Sequence, residues 1–248
     1  MTGPTRIVIT GVTSGIGEEL AKQYAAAGVV LGLTGRRADR LEAVAAACRE
    51  RGATVHPYAV DVVDRPAMKS MAADFLQKAG GIDLVIANAG LGSPDKFDRG
   101  DVDTAAALFE VNVTGVATTL TPFIPAMLEQ RRGHLVAVAS IAGFRALPKS
   151  VAYSASKAAV QVFMDGLDLD YGHRGIAVTT INPGFVESEM TAKNRFKMPF
   201  ILTTPQAVVK VRRAIARRKK VFTFPWPMAF LGRFVLPYAP KWLLRKLR

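Results

Sequence analysis

The amino-acid sequence predicts an α/β fold, with a single doubly wound parallel sheet of about seven strands and helices on both faces. Short apolar runs alternate with longer segments of helical character from the start of the chain. The short runs are nearly continuous in apolar residues, as expected for parallel strands that are buried on both faces. Repeated β-α-β units of this kind build such a sheet, and 248 residues are enough for its core.

The predicted elements follow one another in simple alternation. The predicted strands are residues 6–10, 29–34, 54–60, 82–87, 134–139, 177–181 and 221–224. The predicted helices are residues 15–27, 38–51, 65–79, 104–130, 151–171 and 205–218. Gly28 and Gly52 should end the first two helices, because glycine readily adopts the left-handed conformation that follows a helix. Pro122 and Pro125 should kink the fourth helix.

The chain shows neither a linker nor an internal repeat. We therefore predict one domain, with residues 1–220 as its body and residues 221–248 as a basic, aromatic C-terminal extension of that domain. The start of the chain has neither a basic region nor a long apolar region of the signal-peptide type, so no signal peptide is expected. A lone cysteine, Cys48, suits a reducing compartment, and we expect a cytoplasmic protein. The few scattered histidines predict no metal site.

The positive charge is concentrated in the last quarter of the sequence. Residues 190–248 contain fifteen Lys or Arg and no Asp or Glu, although the net charge of the whole chain is +13. The first 189 residues carry 18 basic and 20 acidic side chains, a net charge of −2. This asymmetry predicts an anionic partner for the C-terminal part, such as a membrane surface.

A glycine-rich turn joins the first strand to the first helix. Residues 10–17 read T-G-V-T-S-G-I-G. Gly11 permits a tight turn, Gly15 lets the backbone approach a pyrophosphate, and Gly17 lets the helix pack close to the strand. The helix N-terminus then offers free N–H groups and a positive dipole end to phosphate. In this strand–turn–helix context the turn predicts a dinucleotide site of Rossmann type.

The end of the second strand indicates which dinucleotide binds. An NAD-selective site needs an acid here to accept hydrogen bonds from the adenosine ribose, but the chain has Arg36 and Arg37. Guanidinium groups can grip a 2′-phosphate, which an acid would repel. We therefore expect NADP(H). The alternative is that both arginines are solvated residues at the start of a helix.

Tyr153 and Lys157 form a Y-x-x-x-K pair, which places both side chains on one face of a helix. The phenol of tyrosine ordinarily has a pKa near 10, too high for efficient acid–base work at neutral pH. A nearby ammonium should lower that pKa by stabilising the phenolate. The pair is therefore a candidate proton-transfer unit.

The form T-G-x-x-x-G-x-G and the Y-x-x-x-K pair resemble the short-chain dehydrogenase/reductase family over roughly residues 5–190. The resemblance implies four catalytic residues: Ser140 to hydrogen-bond the substrate oxygen, Tyr153 as the proton donor, and Lys157 and Asn112 to sustain a proton relay. For Asn112 the alternative is a helix-kinking residue whose side chain is satisfied by the backbone. For Asn88, a structural role is expected at least as much as direct contact with the cofactor.

The same resemblance implies a set of cofactor-binding residues. Asp61 and Val62 are expected at the adenine, the turn 88–90 (N-A-G) beside the adenosine, and Val186 and Ser188 at the carboxamide. The full expected set is Gly11, Thr13, Ser14, Gly15, Ile16, Gly17, Arg36, Arg37, Asp61, Val62, Asn88, Ala89, Gly90, Tyr153, Lys157, Pro183, Gly184, Val186 and Ser188.

These residues predict hydride transfer between NADP(H) and a carbonyl or secondary alcohol. A lid over residues 189–204, rich in Met, Phe, Ile and Leu, favours an apolar or lipid-like small-molecule substrate. The alternative function is a non-catalytic NADP-binding sensor or a membrane-associated scaffold, but a sensor would be expected to lack Tyr153 or Lys157, and both are present. No nucleic-acid recognition motif accompanies the basic charge, so nucleic-acid binding is not expected. A homo-oligomer is expected.

The C-terminal extension leaves two interpretations open. Four prolines and the charges of Arg233 and Lys241 interrupt its apolar run, so a transmembrane helix is not predicted there. Aromatic residues flanked by basic ones suit a segment that lies on an anionic membrane surface. Alternatively, its apolar residues wall the substrate pocket or a subunit interface.

Overall fold

The computed structural model describes residues 3–95, 97–193 and 197–245. Its centre is a seven-stranded parallel sheet in the order β3-β2-β1-β4-β5-β6-β7, which confirms the predicted fold class. The strands are β1 (Arg6–Thr10), β2 (Val30–Thr34), β3 (Thr54–Tyr58), β4 (Leu84–Ala87), β5 (Gly133–Val138), β6 (Ile176–Pro183) and β7 (Val221–Phe224). All seven lie where they were predicted, within a few residues at their ends.

Helices cover both faces of this sheet. They are α1 (Gly15–Tyr24), α2 (Ala38–Arg49), α3 (Arg65–Ala79), α4 (Val102–Phe109), α5 (Gly115–Leu120), α6 (Ile124–Glu129), α7 (Val151–Tyr171), α8 (Thr204–Ala216), α9 (Trp226–Phe230) and α10 (Lys241–Arg245). The first helix ends earlier than predicted, because Ala25 already has an extended backbone. Gly28 instead adopts a positive φ in the turn that leads into β2.

Two apolar cores result, one on each face of the sheet. The first contains side chains such as Leu20 of α1, Leu41 of α2 and Val211 of α8. The second contains Phe75 of α3 and Val160 of α7, packed on the opposite face. Because the strands are buried on both faces, most of their side chains are apolar.

The predicted long helix is a continuous helical segment with two irregular turns. A π turn over Glu110–Thr114 separates α4 from α5, and a 3₁₀ turn that contains Pro122 separates α5 from α6. The segment Val102–Glu129 is long and apolar enough to cross a bilayer, but half of its most apolar window is buried inside the protein. It packs on the second core and is a core helix of the sheet.

A half-buried carboxylate ties the starts of β1 and β4 together. Asp83 accepts hydrogen bonds from the backbone N–H groups of Thr5 and Arg6 and forms two side-chain bonds with the Arg6 guanidinium. Burial by itself raises the pKa of Asp83, but the hydrogen bonds from Arg6 and Thr5 outweigh it and hold the pKa at about 2. The charged form is therefore the one that the folded protein stabilises.

Replacing Asp83→Asn should destabilise the fold at neutral pH by about 2 kcal/mol, because a pKa held below its ordinary value is a folding contribution. The contribution is complete above the unfolded-state value of 3.8 and is lost as the pH falls towards about 2. Urea unfolding at pH 7 and at successively lower pH should show the difference from the unmodified protein shrinking below about pH 4. Glu42→Gln, which breaks an exposed pair with Arg49, is the control and should change little. Equal stability of Asp83→Asn and unmodified protein at pH 7 would contradict the assignment.

Candidate functional site

The glycine-rich turn has the backbone that its sequence predicts. Gly11 and Gly15 both have positive φ, +69° and +56°, where a side chain would be strained. At Gly17 a side chain would collide with the Gly11 carbonyl and the Asn88 amide, so α1 can approach the end of β1 only because residue 17 is glycine. The turn is thus pressed against the neighbouring strand ends.

The start of α1 is arranged to receive an anion. Ser14 is the N-cap residue with an extended backbone, and its side chain makes no capping hydrogen bond. A side chain at Gly15 would press on Ser188, 3.3 Å away, so the open backbone of Gly15 and Ile16 lies beside the loop that follows β6. N–H groups at a helix start together with a glycine backbone suit a pyrophosphate, and the residues present fit a dinucleotide.

Asn88 and Ala89, which follow β4, brace this turn. The Asn88 amide donates to the carbonyl oxygens of Thr10 and Gly11, at 3.0 and 3.1 Å. The backbone N–H groups of Asn88 and Ala89 both donate to the Thr10 hydroxyl. The side-chain N–H groups of Asn88 are therefore directed to the protein itself, which favours the structural reading of this residue.

The side chains of Arg36 and Arg37 make different contacts. Arg37 donates to the carbonyl of Thr13 at 2.8 Å and to its hydroxyl, and it pairs with Glu189 across the cleft. Arg36 is mostly exposed, and its contact with the Asp61 carboxylate is long, at 3.5 Å. Arg37 thus holds the glycine-rich turn, whereas the guanidinium of Arg36 is accessible at the end of β2.

Asp61 and Val62 lie beside these arginines, after β3. The carboxylate of Asp61 accepts a hydrogen bond from the backbone N–H of Val63, and Val62 is buried. The carbonyl of Val62 accepts a hydrogen bond from the hydroxyl of Thr118 in α5. The pair therefore sits where the β3 end meets the long helical segment.

Ser140, Tyr153 and Lys157 converge at the ends of β5 and α7. The Ser140 hydroxyl accepts a hydrogen bond from Ala142 N–H and lies next to the Tyr153 phenol. The Lys157 ammonium lies 5.9 Å from the Tyr153 ring centre and donates to the Val138 carbonyl at 2.9 Å. A hydroxyl, a phenol and an ammonium are thus held by rigid elements in one place.

Burial dominates the electrostatics of this group. It raises the pKa of the Tyr153 phenol above its ordinary value, and the neighbouring Ser140 hydroxyl only opposes that rise. Burial also lowers the pKa of Lys157 to about 8. The ammonium donates to the Val138 carbonyl and is not among the groups that shift the Tyr153 pKa here, so its expected lowering of that pKa stays a prediction. The phenol holds its proton at neutral pH.

Asn112 is fully buried in the π turn between α4 and α5. Its amide donates to the Leu91 carbonyl and to the Ser156 hydroxyl, both at 3.0 Å, and its oxygen accepts from Leu91 N–H at 2.8 Å. These bonds match the structural interpretation of the residue. Gly90 lies close by, and a side chain there would press on both Asn112 and Lys157.

The loop after β6 completes the edge of the site. Gly184 N–H donates to the Phe224 carbonyl at 2.7 Å, which ties the turn at Pro183 to β7. The hydroxyl of Thr191 donates to the Val186 carbonyl at 2.7 Å, accepts from Ser188 N–H and lies 3.2 Å from the Ser188 hydroxyl. The hydrogen bonds of the Thr191 hydroxyl therefore hold Val186 and Ser188 in one turn.

The lid residues present apolar surface near the site. Met190 packs over Gly92, where an added side chain would meet its sulfur, and Phe200 and Ile201 are exposed. Leu202 pairs with Val186 in an isolated parallel bridge. Phe196, which belongs to the predicted lid, lies outside the described residues.

Sequence reasoning missed three side chains that hold the site. Thr191 organises the Val186–Ser188 turn, and Gln161 donates to the Ser140 carbonyl at 3.0 Å. Arg40 pairs with Glu189 beside Arg37 and brings a further guanidinium to the end of β2. The spacing S-x-x-T in residues 188–191 was a usable signal for Thr191, since such hydroxyl turns are local. The remaining contacts join residues that are distant in sequence.

The sequence and the fold of this chain are similar to those of known oxidoreductases. Residues 5–198 match the family model described as short chain dehydrogenase. An uncharacterized oxidoreductase from Myxococcus xanthus is 42% identical over 232 residues, which is 93% of this chain and 92% of that protein. A short-chain dehydrogenase/reductase from Burkholderia phymatum, solved in complex with NAD, is 26% identical with a TM-score of 0.84, covering 92% of this chain and 91% of that one.

An alcohol dehydrogenase from Thermococcus sibiricus, solved with 5-hydroxy-NADP, is 25% identical with a TM-score of 0.78, covering 88% of this chain and 94% of that chain. Similar structures thus contain NAD in one case and an NADP derivative in another, so likeness alone leaves the choice between the two open. The family model spans most of the chain, and the sheet order and the strand-end residues agree with it. The chain therefore belongs to the short-chain dehydrogenase/reductase family of oxidoreductases.

Proposed function

We propose that the protein reduces a carbonyl compound to an alcohol with NADPH, or runs the reverse reaction. The observation that carries this proposal is that the Ser140 hydroxyl and the Tyr153 phenol lie next to each other, beside the buried ammonium of Lys157. These three groups lie at the carboxyl edge of a parallel sheet, where ligands bind in open α/β folds. A non-catalytic sensor has no need of a phenol held in this way.

The protein's own groups supply the acid–base part of the reaction. A bound nicotinamide supplies the hydride for the carbonyl carbon, or accepts it in the reverse direction. Ser140 orients and polarises the carbonyl by a hydrogen bond to its oxygen. Tyr153 donates its proton to that oxygen, which completes the alcohol. A phenol that keeps its proton at neutral pH suits the reductive direction.

Lys157 is proposed to restore the proton to Tyr153, with Asn112 as a positioning residue beside it. The ammonium of Lys157, with a pKa of about 8, is mostly charged at neutral pH and close to a reversible proton loss. Its distance from the Tyr153 ring allows it to stabilise negative charge that develops on the phenol. Asn112 holds the 90–92 segment by its hydrogen bonds to Leu91, next to Lys157.

The preference for NADP(H) rests on the guanidinium groups at the end of β2. Arg36 is accessible, and Arg37 and Arg40 lie beside it. The Asp61 carboxylate stands near Arg36, but its contact is long, so the guanidinium is free to engage a phosphate. Arg36 is thus proposed as the principal contact to the 2′-phosphate, with Arg37 as the residue that positions the glycine-rich turn.

The proposed substrate is apolar. Met190, Phe200 and Ile201 are exposed in the lid, and the loop after Ser140 adds Phe144. Side chains of this type line a cleft for an aliphatic or aromatic carbonyl compound. Consumption of NADPH across ketones, aldehydes and acyl-thioesters of increasing chain length should rise with chain length.

The first test concerns proton donation. Tyr153→Phe removes only the phenol oxygen, so turnover on the substrate found by the screen should fall about 10²- to 10⁴-fold, the usual range for a general acid. Binding of NADPH, measured by its fluorescence, should change little. Tyr171→Phe at the far end of α7 is the matched control and should keep full activity. Unchanged turnover in Tyr153→Phe would show that the mechanism is wrong.

The second test concerns cofactor choice. Arg36→Gln should weaken NADPH binding by about one to two powers of ten, since a hydrogen bond to a charged group contributes roughly 1.5–3 kcal/mol. NADH binding should hardly change, because NADH lacks the 2′-phosphate. Arg37→Gln should weaken both cofactors, because it loosens the Thr13 turn. Arg49→Gln, at the other end of α2, serves as the control. Equal affinity of the unmodified protein for NADH and NADPH would refute the preference.

A further inference from the structure

The chain after β7 forms a ribbon with two different faces, here named the C-terminal ribbon (residues 225–245). It consists of α9, a π turn over Leu231–Val235, a 3₁₀ turn over Leu236–Tyr238 and α10. Every fourth residue along its outer side is aromatic and exposed. This aromatic stripe consists of Trp226, Phe230, Phe234, Tyr238 and Trp242.

The aromatic side chains of the stripe are exposed over most of their surface. Tyr238 is 83% exposed and Trp226 78%, and the rings of Phe230 and Phe234 lie against each other 5.6 Å apart. Leu231 and Val235 extend the apolar surface beside them. Contiguous apolar surface of this kind marks an interaction site, whereas single exposed apolar residues are common.

The inner side of the ribbon packs on the catalytic edge of the sheet. Met228 is buried next to Gly184, and Gly232 lies against the ring of Phe144 in the loop that follows Ser140. Ala239 and Leu244 are buried as well. The ribbon is thus fixed to the protein by one face, which leaves the aromatic face outward and rigidly positioned.

The basic residues beside the aromatic stripe indicate which kind of partner binds it. Arg233, Lys241 and Arg245 are exposed within the ribbon, and the sequence has no Asp or Glu from residue 190 to the end. Aromatic side chains flanked by basic ones match the interface of an anionic bilayer, where the rings sit at headgroup depth and the cations meet lipid phosphates. A second copy, meeting this patch with its own across a two-fold axis, would bring like charges together.

We propose that the aromatic stripe docks the protein on an anionic lipid bilayer. The outer rings insert at the level of the headgroups, and Arg233, Lys241 and Arg245 pair with lipid phosphates. Because the inner face packs on Gly184 and Phe144, docking holds the carboxyl edge of the sheet close to the bilayer. If the site reduces an apolar carbonyl, which rests on the proposed function, its substrate can reach it from the lipid. Docking itself does not depend on that activity.

The chain offers a direct reporter of this docking. Its two tryptophans, Trp226 and Trp242, both belong to the stripe. Their fluorescence therefore reports on the surroundings of the C-terminal ribbon without an added label. On adding vesicles of phosphatidylcholine with about 30% phosphatidylglycerol to the full-length protein, the emission should shift to the blue, and brominated lipid should quench it. Vesicles of phosphatidylcholine alone should give little change, and raising salt from about 0.05 to about 0.5 M should reverse much of the effect.

A stripe variant with its matched control tests the assignment. Phe230→Ser, Phe234→Ser and Tyr238→Ser together leave both tryptophans in place and should lower co-sedimentation with anionic vesicles at least about tenfold. The control replaces Val102, Val162 and Leu169 by Ser, three apolar residues of comparable exposure on other helices, and should sediment like the unmodified protein. Unchanged thermal unfolding shows that each variant is folded.

Three outcomes would overturn the proposal. One is that the unmodified protein ignores anionic vesicles even at low salt. Another is equal loss of sedimentation in the stripe and control variants. The third is that the stripe variant lowers the molar mass in light scattering while vesicle binding is unaltered, which assigns the stripe to a second copy. NADPH turnover on a water-soluble carbonyl, measured without vesicles, tests the proposed function separately.

Discussion

The close approach of the β1 and β4 ends is the constraint on which the site depends. Gly11 and Gly17 leave no room for side chains there, and Asn88 fills the remaining space by donating to the Thr10 and Gly11 carbonyls. These bonds satisfy polar groups that the apolar sheet would otherwise bury without partners. They also hold the glycine-rich turn open towards the start of α1. The cofactor cradle is therefore a consequence of how two strand ends pack.

The need of buried polar groups for hydrogen-bond partners also determines how the residues proposed for proton transfer are arranged. Lys157 is enclosed, so its charge needs a partner, and the Val138 carbonyl provides one. Asn112 is satisfied by Leu91 and Ser156, which keeps the π turn next to Lys157. Burial moves the pKa of Tyr153 up and that of Lys157 down to about 8, so the Lys157 ammonium loses its proton more readily than the Tyr153 phenol does.

The C-terminal ribbon links this site to the outer surface. Its inner residues, Met228 and Gly232, contact the segments that follow β6 and β5, and its outer aromatic residues face solvent. The two interpretations left open by the sequence, a pocket wall or a surface segment, do not exclude each other, because they concern opposite faces of the ribbon. The basic loop at Lys219 and Lys220 lies before β7, at the other end of that strand from the ribbon.

The sequence by itself determined the elements and the sheet class, because helical and strand periodicities and glycine turns are local. All seven strands, α3 and α7 follow from it closely, as do the positions of Tyr153, Lys157 and the glycine-rich turn. Only the tertiary structure decided how these residues are used. Arg37 binds Thr13 while Arg36 stays accessible, Asn88 braces the turn, and Lys157 donates a hydrogen bond to the Val138 carbonyl. Each depends on partners far away in sequence, whose distance and burial no local pattern encodes.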